Sequence, residues 1–595
     1  MIKSAGRVLA VITLVLLVNI SFGLGRESHP PEEPLVVPIN EANSLWEMQP
    51  LSSGEPGGQI NYTLERFPRT FNHLMATSDS SADFTSTIMG SGLTATNPVN
   101  GRVVPGFARS WEVSEDGLTY TFHLRKGLKF ADGEPLTAED VIFTYEELAF
   151  NDRIDTGFTS VVTVDGQLPE VEMVDERTVR FHLPAPYGPF LRLVSTGIYP
   201  SHKFEDFDPD NFEDAWDTED AEKNPEAIVG AGPFKLAEFV PGEKIVMERN
   251  PYYYKVDTEG TQLPYVDGFT AVKVKDDKVA LLKFVDRKTD FLKPQINEMP
   301  FLLQQIDGDW NVITGEGTRG APVNSDFLTL NWETEDRDLG KLFAQDEFRR
   351  AISLAIDRER IIDRAFNSFG GVQLSPVPAV SAYYNPEVED FFSGSFDPES
   401  AAGLLEDIGL TDSDGDGLRE YSTGRGVEFT VVTNEENEAR KTMGEVIVDG
   451  LQGVGINANL EPVSFSSLVR KLQSGDYQGA IISLMINPRE PSALADVFAS
   501  SGSLHFWSSG GSSAGVPGWQ KEIDEAFAEG VKHVGFAERK EYYDRFQLLF
   551  ARHLPVIYLA GETFLYVTQD SVQNTKLFSK LGTFPEFCEY VWTEG

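Results

Sequence analysis

At 595 residues, with 41% apolar residues and a formal net charge of −43, the chain exceeds one compact core and reads as two or three soluble domains. So acidic a surface repels nucleic-acid phosphates and anionic membranes and argues against a nucleic-acid partner. The single cysteine, Cys588, excludes an intrachain disulfide and any cysteine-based metal cluster.

In chain order, Lys3 and Arg7 precede an apolar run from Val8 to Ile20, and Ser21-Phe22-Gly23 follows with small residues at cleavage-type spacing. This pattern predicts a signal peptide over residues 1–25. The run is short for a membrane span, and no cysteine follows that could carry a lipid. Free export to a periplasm is the expectation, with an uncleaved anchor as the alternative. Residues 26–56 are rich in Pro, Glu and Ser without periodicity and read as a linker.

Residues 110–147 carry the densest local information. Leu118, Tyr120, Phe122 and Leu124 alternate with Thr119, Thr121, His123 and Arg125, which predicts a strand with one buried face. Asp116-Gly117 before it is a tight-turn pair, and Trp111 and Val113 lie on the incoming strand. Thr137 followed by Asp140 is a variant capping box opening a helix at Val141, Ile142 and Phe143. Residues 171–183 and 233–254 give two further hairpins, the second turning at Pro241-Gly242. The acidic stretch 205–226 lacks apolar periodicity and reads as an exposed loop.

The second half changes character. Phe348, Ala351, Ile352 and Ala355 have helical spacing, and Asp397-Pro398 caps a helix that Gly409 ends. A strand at 427–433, a helix through Met443, Val446, Ile447 and Leu451, a strand at 456–461, a helix at 465–473 and a strand at 477–484 follow. This β-α-β-α-β order predicts a parallel, doubly wound sheet. A helix near 537–551 and an apolar strand at 555–559 complete it.

Gly315-Glu-Gly317-Thr-Arg-Gly320 matches a dinucleotide fingerprint, but Ala321-Pro322 follows where a helix is needed. Asp412, Asp414 and Asp416 with Gly417 resemble the start of a calcium loop, yet the twelfth position is Thr423 where a glutamate is expected. They are weak calcium candidates beside the ordinary reading of an acidic turn. The eight histidines form no H-x-x-x-H pair, which argues against a zinc enzyme. Carboxylates are numerous enough to keep a secreted glycoside hydrolase as an alternative of another class, although no spacing singles out a pair.

Joined together, residues 110–147 resemble the signature of the extracellular solute-binding proteins that serve peptide/nickel-type (dipeptide/oligopeptide) ABC importers. Arg66-Phe-Pro-Arg-Thr-Phe-Asn72, Gly230-Ala-Gly-Pro-Phe234, Phe348-Arg-Arg-Ala-Ile-Ser-Leu-Ala-Ile-Asp357 and Phe396-Asp-Pro398 extend that resemblance over nearly the whole chain from residue 57. It implies a two-lobed α/β periplasmic-binding-protein-like fold (type II) with an additional α+β subdomain in the first lobe. The first lobe would span 57–325, the second 326–560, and residues 561–595 would return to the first, with crossings near 326–332 and 554–562. It further implies a monomer that closes on a peptide and delivers it to permease subunits powered by ATPases, with no catalysis and no cofactor.

In oligopeptide binders of that family an aspartate three residues before a Glu/Asp-Pro step grips the peptide ammonium. The matching segment here is Ile486-Asn487-Pro488-Arg489-Glu490-Pro491, so Asn487 stands at the anchor position and Glu490 is the substitute. The resemblance also places Thr70, Phe71, Asn72 and Arg489 among the ligand contacts. Some family members bind oligosaccharides, and Trp332, His505, Phe506, Trp507 and Trp519 are candidate stacking or hydrogen-bonding residues for that alternative, each with core packing as its competing role.

Overall fold

The computed structural model describes residues 28–594 except 38–52, 77, 98–100, 155, 157–162, 165, 206–207, 306–309, 315–325, 393–395, 485–489, 509–515, 564 and 576–587. The leader segment, the Gly315–Gly320 motif, Asn487 and Arg489 therefore lie outside the described residues.

Local patterning at residues 110–147 becomes structure directly. Thr119–Leu124 buries Tyr120, Phe122 and Leu124 and pairs antiparallel with Ala108–Val113. Gly117 takes φ +71 in the turn between them, a conformation costly for any residue with a Cβ. Asp140 accepts the Thr137 amide at 2.8 Å, closing the capping box of Ala138–Ile142. Its other oxygen accepts the Ser201 amide at 3.0 Å, so one buried carboxylate starts a helix and ties down a distant loop. The hairpin continues into Thr178–His182 and Glu170–Asp175, giving a four-stranded antiparallel subdomain sheet.

The first lobe is built on a seven-stranded sheet in the order Trp310–Thr314, Leu565–Gln569, Phe291–Leu292, Gln59–Leu64, Gly268–Lys273, Lys244–Arg249, Phe234–Val240. Two expectations are corrected here. Residues 28–37 are not a free linker: Leu35–Val37 pairs in parallel with Lys255–Asp257, and Val37 is fully buried. Three residues are too few to show a period, and an open strand edge supplied their hydrogen bonds. The acidic stretch is not a bare loop either. Phe212 and Trp216 are buried, Trp216 stacks on Tyr199, and Thr218–Lys223 is helical with Asp217 as its cap. The surrounding charges hide this anchoring pair from composition.

The second lobe is built on a five-stranded sheet in the order Asn457–Val463, Glu428–Asn434, Gly479–Ile482, Phe327–Leu330, Val556–Tyr558. The βαβαβ strands are parallel as expected, but Phe327–Leu330 runs against both neighbours. It enters from the first lobe, whereas the other four strands run toward that lobe. Alternate residues feed two cores: Leu328, Val431, Ile481 and Ile557 on one face, Phe327, Val432, Ile482 and Tyr558 on the other. Both faces are covered, as an α/β sheet requires.

The motif at 348–358 serves this lobe through its arginines. Arg349, 1% exposed, donates to the carbonyls of Phe343 (2.8 Å), His553 (2.6 Å) and Leu554 (2.9 Å) and pairs with Asp346. Arg358 donates to Tyr558 and Ser353 carbonyls at 2.9 and 3.0 Å. A guanidinium fork satisfies several helix-end carbonyls at once. Arg349→Ala leaves them buried without donors, and we expect a loss of roughly 3 kcal/mol in urea unfolding, only partly recovered by Arg349→Lys. A loss below about 1 kcal/mol would contradict this role.

Candidate functional site

The chain passes from the first sheet to the second between Thr314 and Phe327 and returns between Tyr558 and Leu565. Phe327 pairs with Ile482 and Tyr558 at one end of the second sheet. That end faces the first lobe, so loops leaving the strands there are the ones that border the space between lobes. Half-buried Asp326 marks the entry. Burial pushes its carboxyl up, and Arg440, whose Nε donates to it at 2.6 Å, works in the opposite direction. Arg440 also donates to Asn434 Oδ1 at 2.9 Å, at the end of Glu428–Asn434, two strands away in the same sheet.

Glu490 lies at the same end. Its Oε1 caps Pro491–Leu494 by accepting the Ser492 amide (3.2 Å) and hydroxyl (2.8 Å). Arg539, on the helix Phe536–His553, grips both carboxylate oxygens, with Nη1 to Oε2 at 3.0 Å and Nη2 to Oε1. Arg539 also donates to the hydroxyls of Tyr383 (3.0 Å) and Tyr543 (3.4 Å). Glu490 and Arg539 are 7% and 5% exposed. From the first lobe, Arg192 brings its Nε to 3.9 Å from Glu490 Oε2. An ammonium placed here would face two guanidinium groups, so the expectation of Glu490 as an amine anchor is corrected.

The aromatic candidates are corrected too. Trp332 sits beyond Leu330, at the end of its strand opposite to the entry point. It packs edge-on against Trp519 with centroids 6.2 Å apart, beneath the Arg349 guanidinium at 4.6 Å. Its amide donates to the Trp507 carbonyl at 2.9 Å, which places Trp507 at the same far end. Trp507 is 1% exposed, against Phe498 and the ring of His505. His505 is buried, with Nδ1 3.2 Å from the Val497 carbonyl, and burial lowers its pKa to about 4. Trp519, half-buried, stacks on His553, and Phe506 is half-buried in the same core. Trp507 is closed off in the core, and Trp332 and Trp519 each give ring surface to protein neighbours.

Residues 70–72 are pinned inside the first lobe by the acidic stretch. The Phe71 amide donates to the Trp216 carbonyl at 2.8 Å, and its ring meets Phe239 edge-on. Asn72 donates to the Phe212 carbonyl (2.9 Å) and accepts the Tyr199 hydroxyl (2.7 Å). Phe71 and Asn72 are fully buried, so their expected ligand contacts are replaced by scaffold roles; only Thr70 keeps partial exposure.

The acidic turn gathers Asp412, Asp414, Asp416 and also Glu420, with one oxygen from each within 4.8 Å of the others. The aspartates accept backbone amides of the turn, Asp412 those of Gly415 and Gly417, and Glu420 accepts the Ser413 amide at 2.8 Å. Glu420 is the ninth loop position, where a calcium loop often uses water, and reading only the twelfth position missed it. Among the described residues no other group of His, Cys, Asp and Glu converges in this way, and Cys588 is buried, with its thiol pushed up by burial.

Sequence reasoning also missed Arg539, Arg192 and Tyr383; the first two look like ordinary surface charges on amphipathic helices. Among the described residues, no helix is long and apolar enough to cross a membrane.

Comparison with known proteins adds the family. A probable ABC transporter-binding protein of Deinococcus radiodurans is 27% identical over 91% of this chain and 92% of its own length. The oligopeptide-binding protein AppA of Bacillus subtilis is 28% identical over 72% of this chain and 73% of its own. A periplasmic alpha-galactoside-binding protein of Rhizobium meliloti is 26% identical over 60% of this chain and 54% of its own. The solved structure of an oligopeptide-binding protein OppA shares the fold, with a TM-score of 0.80, 23% identity and coverage of 98% of this chain and 96% of that one. The model of the bacterial extracellular solute-binding proteins, family 5 Middle, matches residues 102–505, and the chain belongs to that family, a class of non-enzymatic transport components.

Proposed function

We propose that this protein is the exported ligand-capturing component of an ABC importer, that its ligand is a peptide held between the two lobes, and that the loaded form is delivered to a membrane permease with separate ATPase subunits. The observation that carries the peptide reading is the similarity to an oligopeptide-binding protein over most of the chain. The burial of Trp507 and the packing of half-buried Trp332 against Trp519 and Arg349 support it further, since sugar recognition would draw on exposed ring faces. Export to the periplasm rests on the leader at residues 1–25. Hinge closure around the ligand accounts for capture without chemistry. Moving a mostly open population to mostly closed takes about 5.5 kcal/mol in favour of the closed form, and any contact between the lobes themselves lowers the share that the ligand must supply.

A panel of peptides and oligosaccharides tests this directly. At a hundredfold excess over Kd, a bound peptide should stabilise the protein by about 2.7 kcal/mol, read as a rise in Tm, and be recovered chemically intact by mass spectrometry. Stabilisation by oligosaccharides alone, or turnover of the ligand, would sink the proposal.

Asn487→Asp probes the amino end of the peptide. A carboxylate there should tighten free-amine peptides by roughly tenfold, about 1.4 kcal/mol, and leave N-acetylated peptides unchanged. Equal affinities for both peptide types before and after the change would place Asn487 away from the ligand's amine.

A further inference from the structure

Among the described residues, several contacts join the lobes beside the entry strands, and each half is built within its own lobe. On the first lobe, Arg192 is fixed by hydrogen bonds to Thr96 Oγ1 (3.3 Å) and the Gly101 carbonyl (2.7 Å). On the second, Glu490 is fixed by Arg539 and Ser492. The two meet at 3.9 Å, with side chains 14% and 9% exposed. The Gly188 amide donates to the Val531 carbonyl at 2.7 Å, and Val534 packs against the core of the first lobe. Arg102 lies 4.4 Å from the ring centroid of Phe536. The backbones approach so closely that a Cβ on Gly188 would overlap the His533 carbonyl oxygen and lie 3.1 Å from Arg539 Cδ.

We infer that residues 187–192 and 102 of the first lobe and residues 490 and 531–539 of the second form a latch that holds the lobes together without help from the ligand. Glu490 and Arg192 are then positioning residues that set the fraction of closed protein, not ligand anchors. Apparent affinity scales with the binding-competent fraction, so weakening the latch lowers affinity for every ligand by one common factor. This affinity consequence rests on the proposal that the ligand binds between the lobes; the shape of the ligand-free protein does not.

The test compares wild type, Gly188→Val and Arg192→Gln as full-length mature proteins, with folding checked by circular dichroism. Small-angle scattering without ligand should give a larger radius of gyration for both variants. Hydrogen exchange should be faster in peptides covering 187–192 and 531–536. For two or more peptides of different charge that wild type binds, Kd should rise by the same factor, on the order of tenfold. Arg192→Gln leaves every backbone bond in place and carries the test if Gly188→Val misfolds. Unchanged scattering and exchange in Arg192→Gln would overturn the latch, as would a Kd change confined to ligands of one charge, which would instead make the pair a ligand-contact site. Variants that open while no peptide binds would leave the latch standing and remove the peptide reading.

Discussion

The two strands that adjoin the passages between lobes, Phe327–Leu330 and Val556–Tyr558, lie side by side in one sheet. Phe327 and Tyr558 are paired residues on adjacent strands, with rings 5.5 Å apart. Phe327–Leu330 sits between Gly479–Ile482 and Val556–Tyr558 and is buried along its whole length, so both connections share a single hydrogen-bonded root. Two adjacent connections restrict the lobes to motion about one narrow axis, whereas a single connection would allow free swivelling. The placement of the inter-lobe contacts follows from this. Only loops at the end of the sheet where Phe327 enters can meet the first lobe, and residues 490 and 531–539 meet it there.

That root depends on ends of elements that would otherwise leave buried carbonyls without donors. The helix Phe536–His553 stops at Leu554 in a left-handed conformation, φ 45 and ψ 57, and the chain turns at once into Val556–Tyr558. Arg349 takes the carbonyls at this turn and Arg358 takes that of Tyr558. Burial of a guanidinium is costly, and burial lowers the pKa of both to about 10. The multiple carbonyl acceptors, with Asp346 beside Arg349, offset that cost. A lysine offers no fork of comparable geometry.

Much of the fold was legible because it rests on short-range rules. The alternation at 118–124, the Thr137–Asp140 capping pair and the βαβαβ order at 427–484 each involve neighbours in sequence. What was not legible depends on long-range partners. The reversed direction of Phe327–Leu330 follows from where the strand comes from, and the docking of Leu35–Val37 depends on a free edge at Lys255–Asp257. The site was less legible still. Trp507 lies in a Ser/Gly-rich segment that looks like a binding loop, and strand direction carries Trp332 away from the lobe junction. Glu490 looked like an available acid because its partner, Arg539, is on a distant helix whose other charges are solvated.

The neutralisation of Glu490 bears on how one fold serves different cargoes. Family members are named for peptides and for a galactoside, so the parts that hold the lobes must work whatever lies between them. A carboxylate held by Arg539 in its own lobe and approached by Arg192 from the other is electrostatically complete without any ligand group. If such a pair also chose the ligand, each change of cargo would disturb the open–closed balance. Keeping the closing contacts at Gly188, Arg192 and Glu490 apart from the side chains that select the ligand leaves those side chains free to vary. The balance is then set by a few kcal/mol of fixed protein–protein contact.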